Sequence, residues 1–268
     1  MSMEFGFIGY NDLTGVETDA KFCAEHGFAM LEYNYWGDFK DLKLETVQQM
    51  RKILDKYNVG VSSFGIWGWN HLSPNTAERE TAHEMLNREI EFAKIIGAKV
   101  LVTGGGDIPN ASLDDKVKEF TKVFPPFLDK IEKAGMKVAM YAVHGNSFFD
   151  SIEAYEKVWA QFPTVGVKYD PANWQHHGDD YLAMIRLHGD KITHMHIKEH
   201  VYHDGKLVSQ PPAGMGDIHW GKVMAFLYEH KFDGCLSIEP HGPIWSSGEM
   251  RWKMLLLTKK FISQFLLT

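Results

Sequence analysis

The chain has only two cysteines in 268 residues, Cys23 and Cys235. A lone pair so far apart has no ligand-like spacing, and a disulfide framework is not expected in a chain of this size. A basic cluster is missing as well: 28 Lys and Arg against 35 Asp and Glu leave a formal net charge of −7. That balance excludes the footprint of a nucleic-acid binder and suits solubility. No uninterrupted apolar run approaches the ~18 residues of a membrane span. The N-terminus lacks a basic start followed by an apolar stretch, so no signal peptide is expected and a soluble cytoplasmic protein is the default. No Pro/Gly/Ser-rich linker divides the chain, and one domain over residues 1–268 is expected.

Hydrophobic residues are 44% of the chain, ample for one large core. Short apolar runs alternate with longer segments of helical period. Strands are expected at 5–10, 29–33, 60–65, 99–103, 137–144, 166–170, 192–198 and 235–239. Helical stretches lie near 17–26, 43–57, 77–96, 112–134, 150–161, 179–187, 219–230 and 249–266. Continuously apolar strands alternating with amphipathic helices read as parallel strands covered by helices. A doubly wound open sheet would also fit. Eight such units at a length near ~250 residues favour closure into a single (β/α)8 TIM barrel.

In such a barrel the chemistry gathers at the C-terminal ends of the strands. Residues two apart on a strand share a face. That alternation groups Met140, Ala142 and His144 on the fifth strand and Lys168 with Asp170 on the sixth. It groups His194, His196 and Lys198 on the seventh, and Ser237, Glu239 and His241 on the eighth. Buried charges need partners or a metal. Asp170, His196 and Glu239 form an oxygen and nitrogen set without thiolate, suited to Mn²⁺, Mg²⁺, Co²⁺ or Zn²⁺. The competing reading is a set of buried ion pairs, Lys168 with Asp170 or Glu239.

Four stretches, Gly166–Pro171, Ile192–Glu199, Gly214–Trp220 and Phe232–His241, occur in an order and spacing that resemble a known family. The chain is similar to the sugar isomerase/epimerase family with the xylose-isomerase-like (AP endonuclease 2) TIM barrel. The resemblance implies a divalent metal, Mn²⁺ as first choice, held by Asp170, His196, Glu239 and a carboxylate on the fifth strand. Ala142 stands where that fourth ligand is expected, and Asn173 stands where many relatives have His. The relatives' relay between two metal-bound glutamates therefore cannot operate unchanged. Glu239 remains as one base, with His144 and Lys168 as further catalytic candidates and Glu199 as support for the ligands.

Around these, Trp67, Trp69, His71, Asn173, Lys198 and His241 are expected to bind substrate, with Tyr33, Tyr35 and Trp36 nearby. Aromatic faces stack on apolar faces of sugars and exclude water. Gly104–Gly106 lack the spacing of a nucleotide loop. The resulting expectation is a metal-dependent isomerase or epimerase of a free sugar or close derivative, working as a homo-oligomer. One alternative is a lyase on 3-oxo-glycosides with a His base and a small partner subunit. Another is a sugar-binding barrel without turnover. Neither nucleic acid nor membrane is an expected partner.

Overall fold

The computed structural model describes residues 2–267. In chain order the first half comprises β1 (Glu4–Ile8), α1 (Leu13–His26), β2 (Met30–Tyr35), α2 (Leu44–Lys56), β3 (Gly60–Ile66), α3 (Thr76–Ile96) and β4 (Ala98–Thr103). Next come α4 (Leu113–Val123), α5 (Pro125–Lys133), β5 (Lys137–Tyr141), α6 (Ile152–Trp159), β6 (Gly166–Tyr169), α7 (Pro171–His177), α8 (Tyr181–His188) and β7 (Ile192–Ile197). The chain finishes with β8 (Val201–His203), β9 (Lys206–Ser209), α9 (Trp220–Glu229), β10 (Cys235–Ile238), α10 (Gly242–Trp245) and α11 (Gly248–Ser263).

Eight parallel strands close in the order β1-β10-β7-β6-β5-β4-β3-β2, making a single (β/α)8 barrel. The helices begin and end where local chemistry dictates. Asp12 caps α1 by accepting from the Gly15 N–H, and Asn75 caps α3 by accepting from the Glu78 N–H. Gly97 ends α3 with φ +78°, a left-handed turn that costs glycine little. No helix among the described residues is long and apolar enough to cross a membrane.

Several boundaries differ from those expected. The helix over 112–134 is two helices, α4 and α5, because the Pro125–Pro126 pair cannot continue the first and suits the start of the second. The short helices α7 and α10, and the antiparallel β8–β9 hairpin after β7, have no counterpart in the expected pattern. The fifth strand ends at Tyr141, and Val143 beyond it has φ +52°. This moves a face assignment. Ala139 and Tyr141 pack with Val100, Val102 and Trp67 in the barrel interior, whereas Met140 and Ala142 belong to the larger cluster with Phe148, Phe149 and Tyr155. Tyr141 pairs with Lys168, so residue 143, not Ala142, is level with Asp170. Met140 and Ala142 share a face, as expected, but it is the face turned to the helices, and Ala139 and Tyr141 hold the interior one.

Candidate active site

The late strands project polar side chains into the barrel mouth. Lys168 comes from β6 with Asp170 just past its end, His194 and His196 from β7 with Lys198 just past it, and Ser237 from β10 with Glu239 just past it. Asp170 also caps α7: its Oδ1 accepts from the Asn173 N–H at 3.1 Å, leaving Oδ2 for the site. His196 Nδ1 lies 2.8 Å from Glu239 Oε2 and 3.6 Å from Asp170 Oδ2. One ligand atom from each of these three residues lies within 4.8 Å of the other two. Separations of this size suit ligands sharing one ion at ~2.1 Å bonds. Oxygen and nitrogen donors without sulfur fit a hard or borderline divalent ion.

The ion-pair reading is also present in the geometry. Lys168 Nζ donates to Asp170 Oδ2 at 3.1 Å, and Lys198 Nζ donates to Glu239 Oε1 at 3.3 Å and to Asn173 Oδ1 at 3.0 Å. Burial works to raise the Asp170 carboxyl, but the Lys168 and Lys198 ammoniums hold it well below the usual range. Burial likewise opposes the charge on Glu239, and Lys198 with the His196 hydrogen bond keeps it ionised. Each carboxylate can serve a lysine and an ion together because each carboxylate oxygen has two lone pairs.

Behind His196 sits Glu32 from β2, fully buried, which the sequence reading did not single out. His196 Nε2 donates to Glu32 Oε1 at 2.8 Å, and His194 Nε2 donates to Glu32 Oε2 at 2.7 Å. The Ser237 hydroxyl donates to Oε2 at 2.5 Å, and Asn34 Nδ2 donates to Oε1 at 2.8 Å. Burial works to raise the Glu32 carboxyl, but His196 and His194 hold it well below its ordinary value. Burial opposes charge on His196 too, yet the Glu32 carboxylate lifts it to about 10. The ring is thereby fixed with Nδ1 facing Asp170 and Glu239.

A cavity of about 160 Å³ opens over this set, lined by Asn34, Trp36, Trp67, His144, Lys168, Asn173, His196, Lys198, Glu239 and His241. Trp69 and His71 lie elsewhere. His71 is buried against Thr103, its Nε2 3.1 Å from that hydroxyl, and burial depresses it to about 3. His144 Nδ1 donates to the Ala142 carbonyl at 2.8 Å, leaving Nε2 as its free nitrogen. Burial and then Lys168 lower its basicity, so the ring is neutral near pH 7. Glu199 accepts from the backbone N–H groups of Gly214 and Ile218 and from Trp220 Nε1 at 2.8–3.1 Å, which ties the loop before α9 to the site.

The xylose isomerase-like TIM barrel family matches residues 20–258. A protein of Escherichia coli (strain K12), named provisionally as the L-ribulose-5-phosphate 3-epimerase SgbU, is 25% identical over 175 residues. That match takes in 62% of this chain and 60% of the relative, so the chain spans about 60% of the length of the curated relative it matches. Among solved structures, an L-ribulose 3-epimerase superposes with TM-score 0.79 at 15% identity, over 98% of this chain and 94% of that one. The D-allulose 3-epimerase from Methylomonas sp. in complex with D-allulose has TM-score 0.79 at 15% identity, over 98% and 97%. The IolI protein with a bound zinc atom has TM-score 0.78 at 17% identity, over 99% and 100%. At these identities the structural likenesses establish the fold, while the family match extends along most of the sequence. The chain belongs to the xylose isomerase-like TIM barrel family.

Proposed function

We propose that the protein is a divalent-metal-dependent isomerase or epimerase that moves a proton on the carbon beside a sugar carbonyl. The observation that carries this reading is the convergence of Asp170, His196 and Glu239 from three adjacent strands beneath a sugar-sized cavity. These three residues would hold the ion, Mn²⁺ as first choice. When bound, it supplies polarisation of the carbonyl and the adjacent hydroxyl. Glu239, kept ionised by Lys198, takes the proton from carbon. His144, neutral and with Nε2 free to accept, takes up the proton of a substrate hydroxyl and, once protonated, returns it. The Lys168 and Lys198 ammoniums offset the negative charge that grows on the substrate oxygens. The names of the relatives, epimerases of ketoses and of a ketose phosphate, agree with this chemistry.

The test is proton exchange at carbon in D₂O, followed by NMR on ketopentoses and ketohexoses, with protein stripped by chelator and then reloaded with Mn²⁺. Exchange should vanish on stripping, return on reloading, and fall at least ~100-fold in Glu239→Gln. Exchange that survives stripping would overturn the metal's role. Sugar binding without exchange under every condition would leave a binding barrel instead.

One feature favours the lyase alternative. Trp36 is 54% exposed at the cavity mouth, and its outer face could carry an aglycone. A 3-oxo-glycoside run in parallel with the ketoses separates the two readings by which substrate is consumed.

A further inference from the structure

Besides the metal-ligand candidate His196, two histidines line the cavity, His144 after β5 and His241 after β10. Contacts with the backbone hold these two rings in opposite tautomers. His144 Nδ1 donates to the Ala142 carbonyl, so its Nε2 is an acceptor. His241 caps α10, and its Nδ1 accepts from the Gly242 N–H at 3.0 Å. A backbone N–H can only donate, so that Nδ1 carries no proton and the neutral ring bears its proton on Nε2.

The Nε2–H of His241 is unspent. Among the described residues no acceptor stands within hydrogen-bond distance of it. Glu239 Oε1 is 3.8 Å away, too far for a hydrogen bond, and already accepts from Lys198 at 3.3 Å. The His241 side chain is 47% exposed, so a ligand entering the cavity mouth can reach the ring. Its place beside Glu239 decides what it meets there. In a 2-ketose the carbon that Glu239 deprotonates is C3, and the oxygens on C2 and C3 are those the ion polarises. The remaining oxygen on a carbon next to C3 is the C4 hydroxyl.

We propose that His241 is a specificity-determining residue whose Nε2–H donates to the C4 hydroxyl oxygen of a 2-ketose held over Glu239. The inference rests on the sugar reading above and deepens it, because it names the carbon at which epimers are told apart. A C4 hydroxyl of the opposite configuration points away from this donor and leaves the N–H to water. His144 does not stand in for it, since the free nitrogen of that neutral ring has no proton to give.

The test is calorimetric binding of D-fructose, D-tagatose and D-allulose to the Mn²⁺-loaded chain and to His241→Asn and His241→Gln. D-Fructose and D-tagatose differ only at C4, whereas D-fructose and D-allulose differ only at C3. Asparagine keeps a capping oxygen near the place of Nδ1 but puts no donor at the place of Nε2. Glutamine extends an amide N–H to about that place. The unmodified protein should favour one of the two C4 epimers by roughly three- to tenfold, as one hydrogen bond allows. That preference should vanish in His241→Asn and persist in His241→Gln, with the fructose-to-allulose ratio the same in all three proteins. Loss of packing would weaken every sugar alike and leave both ratios unchanged, so it is not mistaken for support. A C4 preference that survives in His241→Asn, is lost equally in His241→Gln, or is absent from the unmodified protein overturns the role of His241 while leaving the sugar reading standing. If no sugar of the panel binds the unmodified protein, both are overturned.

Discussion

Glu32 ties a would-be metal ligand to the substrate wall, since one carboxylate accepts from His196, His194, Ser237 and Asn34. Partners of this kind fix which ring nitrogen faces the ion, and their loss typically costs ~10–100-fold in metal affinity. Glu32→Gln should accordingly weaken Mn²⁺ binding by about that factor in a calorimetric titration. Unchanged affinity would reduce Glu32 to a packing role. The same residue shows what the sequence could yield. Counting alternate positions back from strand ends picks out Asp170, His196 and Glu239 as candidates. That count on β2 puts Glu32 and Asn34 on one face, but the surrounding tyrosines and Leu31 made the strand look like plain core. His71 and Trp69 sit in a loop without period, so nothing local distinguished a cavity wall from a buried turn.

At the scale of elements, α3 carries an unusual load. Glu89 is fully buried within it, with no hydrogen-bond partner at either oxygen, and burial pushes its carboxyl well above the ordinary value. A folded-state pKa above the unfolded one means the folded protein holds the proton more tightly. The associated stability is full below the unfolded value of about 4.5 and is lost as pH rises toward the folded value. Glu89→Gln, neutral at every pH, should match the parent's melting temperature near pH 4 and exceed it increasingly toward pH 8. A constant difference across that range would show that folding leaves the carboxyl's proton affinity unchanged. Element boundaries were legible where capping residues and glycines punctuate the chain, as at Asn75 and Gly97. They were not legible at β5, where the apolar run continues through Val143 although the backbone has already turned.

The whole molecule closes where β1 meets β10, and α11 secures that seam. Arg251 on α11 donates to Asp19 on α1 at 2.8 Å and to the Ile8 carbonyl at 3.0 Å, with both side chains of the ion pair buried. Removing one partner of a buried pair strands the other, at a cost of ~3–5 kcal/mol. Arg251→Ala should lower the urea midpoint accordingly, whereas a loss below ~1 kcal/mol would mean that Asp19 finds another partner or is protonated. Closure into a barrel was readable from eight repeated units, but this long-range pairing between first and last helices leaves no local pattern.

The two cysteines described at the outset lie along this seam, Cys235 on β10 and Cys23 on α1, both buried and with their thiols pushed up by burial. Thiolate is the reactive form, so a labelling reagent meets neither sulfur while the barrel stays shut. Each covalent mark then counts one opening of the seam. Labelling of these two thiols, read by mass, thus reports opening of the seam, and Arg251→Ala should hasten it.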